Sequence, residues 1–386
     1  MNQSWRQRWP VILTTLLALL LGLSGCAGGA ARPVSWMGLT VVGDKMYAAD
    51  VEQIRVLNAS DGETLWSFPE NPEENNRGIF YIAPAVGAGR VIVASQITTG
   101  GFFSQRLDIV WGLDVETGRE LWRFEGASGQ YIEGGALSDD TFVIGNGDGN
   151  VYALDAESGD LKWNFETGHH VWATPLIVAD VVYVGSMDRH LYALNLADGQ
   201  MRWDFHTRGA FASAPVLRND TLYVGAFDDT FYAIDAQTGV ERWRFESEDW
   251  FWGSPAVGDD IVYAADVAGV VYALDAGSGE EVWRKVIEDE AMQDISVRAG
   301  PVLSEDGNQL FVGAQVGAQD GALYALDTAD GFVLWSKPSE GRVLSTPVVS
   351  ESLVYEALLY GTHRIRALHV ENGREMWTYP DVEEQE

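Results

Sequence analysis

A thirteen-residue pattern recurs along this chain and limits its fold more than any other feature. Val151-Tyr-Ala-Leu-Asp-Ala-Glu-Ser-Gly-Asp-Leu-Lys-Trp163 is matched by Leu191-Tyr-Ala-Leu-Asn-Leu-Ala-Asp-Gly-Gln-Met-Arg-Trp203, and again by segments 231–243 and 271–283. Weaker copies end at Trp66, Trp122, Trp335 and Trp377, which makes eight. The spacings between successive repeat tryptophans are 56, 41, 40, 40, 40, 52 and 42 residues. A period near 40 that holds four short strands is the sequence mark of a β-propeller. The chain therefore reads as all-β, an eight-bladed β-propeller of four-stranded antiparallel blades over residues 36–380.

One copy sets the phase for the others. Its strands are expected over 174–179, 181–185, 191–195 and 201–206, with turns at Asp180 and Ala197-Asp198-Gly199. Pro175 opens the first strand, where a missing N–H is tolerated best. Pro84, Pro215, Pro255, Pro301 and Pro347 match it, and Leu39 and Gly134 take its place in the other two copies. The recurring Asp or Asn can accept bonds from amides of the following turn, and the Gly suits positive φ. The small Ala leaves room for a neighbouring ring. Trp66, Trp122, Trp163, Trp203, Trp243, Trp283, Trp335 and Trp377 are expected to dock one blade on the next, each with its N–H bonded to backbone.

The N-terminus has a different character. Arg6 and Arg8 precede an apolar run over 11–23, which is shorter than the ~20 residues of a membrane-spanning helix and reads as a signal peptide. It ends in Leu23-Ser24-Gly25-Cys26, which resembles the lipobox of bacterial lipoproteins. That resemblance implies cleavage before Cys26 and lipid on its sulfur and on the new amino terminus, the two attachments stable anchoring requires. Residues 1–25 are then a signal peptide, 26–35 a flexible tether and 381–386 an acidic tail. Past the apolar run no stretch keeps a helical period.

Charge and cysteine content exclude several classes of function. The net charge of -32 leaves no basic face for phosphates, so neither nucleic acid nor an anionic membrane surface is an expected ligand. A single cysteine makes no internal disulfide and no cysteine-rich metal site. His169, His170, His190 and His206 lie in adjacent repeats, but only the first two share a loop, so no zinc site is expected. The glycine- and asparagine-rich segment 145–150 lacks the acids of a calcium loop and reads as a strand-connecting turn. No Ser-His-Asp or paired-carboxylate set stands out, so no catalytic residue is assigned.

The repeat resembles that of the pyrroloquinoline quinone (PQQ) type propellers, and its tryptophans resemble that family's docking motif. A lipobox followed at once by eight such repeats is similar to the BamB family, propeller lipoproteins of the outer-membrane barrel-assembly machinery. This resemblance implies a non-catalytic, monomeric scaffold for envelope proteins, barrel-assembly components among them. It implies a place on the outer membrane facing the periplasm in a Gram-negative cell, or otherwise on the outer face of the cytoplasmic membrane. Quinoprotein dehydrogenases also resemble the chain in fold, but they are longer and commonly hold their quinone against a vicinal disulfide, which one cysteine cannot form. No cofactor is expected. The alternative to a scaffold is an extracytoplasmic ligand- or polymer-binding propeller, with a quinone enzyme behind both.

Strand alternation assigns the loops to faces. Insertions over 69–83, 95–108, 285–300 and 314–321 all fall on the face of the second-to-third turns and the blade crossings. Long loops on a rigid scaffold are where binding concentrates, and they are also where length is simply tolerated. Three residues before each strand-initial Pro or its substitute stand Trp36, Tyr81, Tyr131, Trp172, Ala212, Trp252, Arg298 and Leu344. They are expected to ring the mouth of the central channel. Such a ring either plugs the channel or offers a stacking platform for a peptide, sugar or extended strand, with Arg298 as its one cation.

Overall fold

The computed structural model describes residues 38–99, 105–288 and 294–380. The signal peptide, Cys26, the tether, Trp36 and the acidic tail lie outside the described residues. The described residues form strands, turns and bends, without a helix. They build eight antiparallel sheets, the blades of a β-propeller, each from one contiguous stretch: 39–68, 79–124, 136–166, 176–206, 216–246, 256–286, 295–339 and 342–379. The copy used for phasing is blade 4, with strands Leu176–Val178, Val181–Gly185, His190–Asn195 and Met201–His206. Its inner strand is shorter than expected, because Ala179 turns at φ 52 and Pro175 donates no bond.

The repeat letters act between blades as well as within them. Each repeat Asp closes its own turn, as Asp235 Oδ1 accepts the amides of Gln237 and Thr238 at 3.1 and 2.9 Å, whereas Asn195 Oδ1 accepts from Arg202 Nε. The Arg242 guanidinium, with the Thr238 hydroxyl and amide, holds the Asp235 carboxyl down to about 2. Each repeat tryptophan then reaches the next blade. Trp163 Nε1 donates to the Leu196 carbonyl at 2.8 Å, Trp203 to Ala236 at 3.1 Å and Trp243 to Ala276 at 3.0 Å. The same bond joins Trp66 to Val115, Trp122 to Ala156, Trp283 to Thr328 and Trp335 to Val370. In every case the acceptor is the residue just after the next blade's Asp, Asn or His. Trp377 closes the ring on Ala59, 318 residues away in sequence, at 3.1 Å.

The repeat glycine is the floor on which that indole rests. A Cβ on Gly199 would stand 2.6 Å from the Trp163 ring, and one on Gly159, Gly239 or Gly279 would meet the preceding blade's indole as closely. Closure between blades 8 and 1 uses the same parts, a Cβ on Gly62 meeting Trp377 at 2.7 Å. A shared core including Leu39, Met46, Tyr355 and Tyr379, and an ion pair from Arg364 to Asp50 at 2.9 Å, complete it. The core is thus a ring of inter-blade clusters.

Parts of the insertions form strands. Blade 2 lengthens its middle hairpin to Arg90–Thr99 and Gln105–Asp114, and blade 7 to Gln309–Val316 and Asp320–Asp327. A longer hairpin exposes an unpaired edge, and the longer crossing before it covers that edge: Ile79–Phe80 pairs with Ser95 and Gln96, and Ile295–Ser296 with Gln315 and Val316. The insertions of each blade therefore come as a coupled pair.

Two glycine substitutions separate backbone strain from blade docking. Gly43 (φ 61) has open space around its would-be Cβ, while Gly199 (φ 69) has Trp163. Gly43→Ala is expected to cost about 1–2 kcal/mol from the left-handed backbone alone. Gly199→Ala adds overpacking of roughly 1–3 kcal/mol. Chemical denaturation should place the Gly199→Ala midpoint clearly below that of Gly43→Ala; equal midpoints would refute the docking role of this glycine.

Candidate binding site at the channel mouth

The crossings that enter the inner strands shape the channel. In blade 2 the segment Ile79–Phe80 and the strand Ala85–Gly87 pair with one neighbour strand but stand two residues out of register, and Tyr81 sits in the break between them. Arg298 and Leu344 sit in the corresponding breaks of blades 7 and 8. In these three blades the residue in the break borders the cavity on the channel axis.

Blade 3 departs from the sequence alignment by one residue. Ala136 pairs with Val143 there as Leu176 pairs with Tyr183 in blade 4, so Gly135 stands where Pro175 does. The expectation for Tyr131 is therefore corrected. Ile132 takes the mouth position, and Tyr131, one residue earlier on an extended segment, points the opposite way and is only 1% exposed. Its ring packs in the core between blades 2 and 3.

The other mouth residues fall into two groups. Tyr81 is half-buried and bound, donating to Gln96 Oε1 at 3.1 Å and accepting from Gln130 Nε2 at 2.9 Å, while burial pushes its hydroxyl up to about 12. Trp172 and Trp252 come together, with centroids 6.5 Å apart, although their blades are not neighbours. Blade 5 between them contributes Ala212, a side chain too small to keep two indoles apart. The pair is the centre of a longer row. His170 stacks on Trp172 at 6.1 Å and 3°, Phe227 lies 5.3 Å from Trp252, and Trp250 lies 4.5 Å from Phe227. The Arg298 guanidinium caps the row, 5.4 Å over the Trp252 ring. None of these six side chains belongs to an inter-blade core cluster, and His170 is exposed while the others are half-buried.

Sequence inspection missed His170, Phe227 and Trp250. A signal was available for two of them: His170 and Trp250 stand two residues before Trp172 and Trp252, and period-two alternation in an extended crossing puts them on the same side. Phe227 comes from a second-to-third turn and carried no such signal. His190 pairs instead with Asp204 at 2.7 Å, and among the described residues no group of three or more His, Cys, Asp or Glu is placed to hold a metal. Segment 145–150 is a structural turn, in which Asp148 accepts from the amides of Ser128 and Asn150 and from the Tyr152 hydroxyl.

Below the row lies an axial cavity of about 210 Å³. Beside it a shallower vestibule of about 360 Å³ is lined by Arg106, Asp108, Gln130, His170 and Trp172, and Ile132 borders both spaces. The residue directly before the strand-initial position is small in every blade: Gly38, Ala83, Gly134, Thr174, Ala214, Ser254, Gly300 and Thr346. This ring makes the throat so tight that a Cβ on Gly38 would stand 2.1 Å from the Ala83 amide. One residue earlier, blades 5 and 8 present Ser213 and Ser345 to the cavity, and blade 3 presents Glu133. Glu133 is half-buried, since the cavity reaches it, yet the protein around it desolvates its carboxyl and raises it to about 7. Glu133 and Arg298 are the two ionic residues of the lining.

The family model described as outer membrane protein assembly factor BamB matches residues 106–219, 206–315 and 268–386. The chain belongs to the BamB family. It is 27% identical over 168 residues to the BamB of Xanthomonas campestris and 35% identical over 72 residues to that of Shewanella oneidensis. These alignments span 38% and 17% of the two relatives' lengths. The crystal structure of BamB from Moraxella catarrhalis superposes with a TM-score of 0.67 at 18% identity, covering 84% of this chain and 93% of that one. A quinohemoprotein alcohol dehydrogenase of Pseudomonas putida is 25% identical over 146 residues, 35% of this chain and 18% of that protein. The chain's single cysteine cannot form the vicinal disulfide against which quinoproteins commonly hold their quinone.

The raised Glu133 carboxyl links stability to pH. Its folded value lies above its ordinary 4.5, so the fold favours the protonated form. Its contribution is fully present below pH 4.5 and is lost as pH rises through about 7. Glu133→Gln should therefore melt with the wild type in acid and above it at pH values beyond 7. A variant that is the less stable one in alkali would show that Glu133 has a cationic partner.

Proposed function

We propose that this protein is a lipid-anchored, non-catalytic scaffold of the cell envelope that serves outer-membrane protein assembly by docking an extended segment of a partner protein at the channel mouth. The observation that carries this reading is the row His170–Trp172–Trp252–Phe227–Trp250. Its rings pack against one another in fixed orientations and lie outside the blade cores, so together they offer an aromatic surface for a ligand. Membership of the BamB family supports the assembly role, since relatives in it are named as outer membrane protein assembly factors. The insertions of blades 2 and 7 stand on the same face as the row, and strand-addition or aromatic docking to a rigid loop-bearing face is a general way to hold extended chains.

Affinity purification from detergent-solubilised envelopes of the native host, read by mass spectrometry, tests the scaffold. Wild-type protein is expected to recover outer-membrane assembly proteins. Trp172→Ala with Trp252→Ala should keep the melting temperature within a few degrees, because neither indole is part of a blade core, and should lose most of that recovery. Unchanged recovery by the double variant would remove the aromatic row from the docking site.

The anchor has its own test. Cys26→Ser should move the protein from the membrane fraction to the soluble fraction, because the sulfur that takes the lipid is gone. Retention in the membrane fraction would mean that something other than acylation of Cys26 holds it.

A further inference from the structure

Two repeat positions that face the axis each carry one charged exception, and the exceptions stand opposite one another. Glu133 occupies the position of Ser213 and Ser345, and Arg298 the position of Trp172 and Trp252. They belong to blades 3 and 7, half a turn apart in a ring of eight. Both border the 210 Å³ axial cavity, yet among the described residues they form no ion pair with each other. Arg298 Nε is buried without an acceptor, and Ser213, only 5% exposed, has an unpartnered hydroxyl in the same lining. A buried charge or hydroxyl without a partner is costly, and a native fold that keeps several around one cavity has a use for them.

We propose that the axial cavity is a binding site for a small zwitterion with separated charges, an ω-amino acid or a dipeptide, whose ammonium group meets Glu133 and whose carboxylate meets Arg298. The volume holds roughly seven waters at the ~30 Å³ each takes in the liquid, which is the scale of such a molecule. The chain's net charge of -32 opposes entry of a net anion, and a net cation would leave Arg298 unpaired. A neutral zwitterion answers both ends at once. Thr174, Ser254 and Ser345 add hydroxyls between the two charges, and the vestibule that shares Ile132 with the cavity is the way in. This site adjoins the aromatic row, since Trp252 and Arg298 border the cavity as well, and it is tested without a partner protein.

Calorimetric titration of the purified protein with glycine, β-alanine, γ-aminobutyrate and ε-aminocaproate uses the spacing of the charges as a ruler. One length is expected to bind at a ratio of one to one, at least about tenfold more tightly than acetate or ethylamine, which carry a single charge. Glu133→Gln and Arg298→Gln should each weaken that ligand at least about tenfold. Their melting temperatures report whether they fold, and Arg298→Lys replaces Arg298→Gln if that variant does not. Binding of the best zwitterion should also raise the wild-type melting temperature. The proposal is overturned if no member of the series saturates, if acetate binds as well as the best zwitterion, or if a folded Glu133→Gln protein binds it as tightly as the wild type.

Discussion

An indole laid across a glycine, with its N–H on the adjoining carbonyl, is the interaction from which the rest of this structure follows. A four-stranded blade cannot bury both of its faces alone, and eight blades close only if each meets the next at a constant angle. The Trp–Gly pair sets that meeting point. The carbonyl fixes where the ring ends, and the missing Cβ fixes how near it lies. In seven of the eight blades the residue that pairs with the Trp inside its own blade is Ala or Gly, as Ala193 is opposite Trp203 and Gly112 opposite Trp122, and in blade 1 it is Val56. Because blades 1 and 8 are each contiguous in sequence, closure of the ring rests on such side-chain contacts, with Trp377 on Ala59 the last of them.

A scaffold fixed this strictly makes its exceptions meaningful. An axial position in one blade can carry a charge without disturbing the docking contacts, because those contacts lie at the outer strands. Glu133 and Arg298 are exceptions of this kind. The aromatic row is another: Ala212 is the small exception among large mouth residues, and the two indoles flanking it meet as a result. Neither feature stabilises a blade. Buried Glu356 differs, because Arg366 bonds it and also donates to the Pro338 carbonyl, which ties blade 8 to blade 7. Neither residue of that buried pair lines the axial cavity.

Much of this was legible in the repeat. The number of blades, the phase of their strands and the docking role of the tryptophans follow from spacing, since a four-stranded unit of fixed length leaves little freedom in where its turns fall. The boundaries that moved did so for local reasons. Ala179 adopts positive φ and shortens the inner strand of blade 4. In blade 3 two adjacent glycines, Gly134 and Gly135, both fit the place of the proline, and choosing the wrong one moved Tyr131 from the core to the mouth. A slip of one residue reverses the face of an extended segment, so small alignment errors become whole errors of exposure.

The sequence by itself determined the eight-bladed ring, because the repeat encodes contacts between neighbours whose spacing is constant. It also determined which face carries the insertions, since strand alternation leaves no choice. Only the tertiary structure decided what meets across the axis. Glu133 and Arg298 are 165 residues apart in sequence and half a turn apart in space. Trp172 and Trp252 touch over a blade that separates them in the chain. Such contacts have no period in the sequence, because they depend on the radius of the closed ring and on which side chains happen to be small between them.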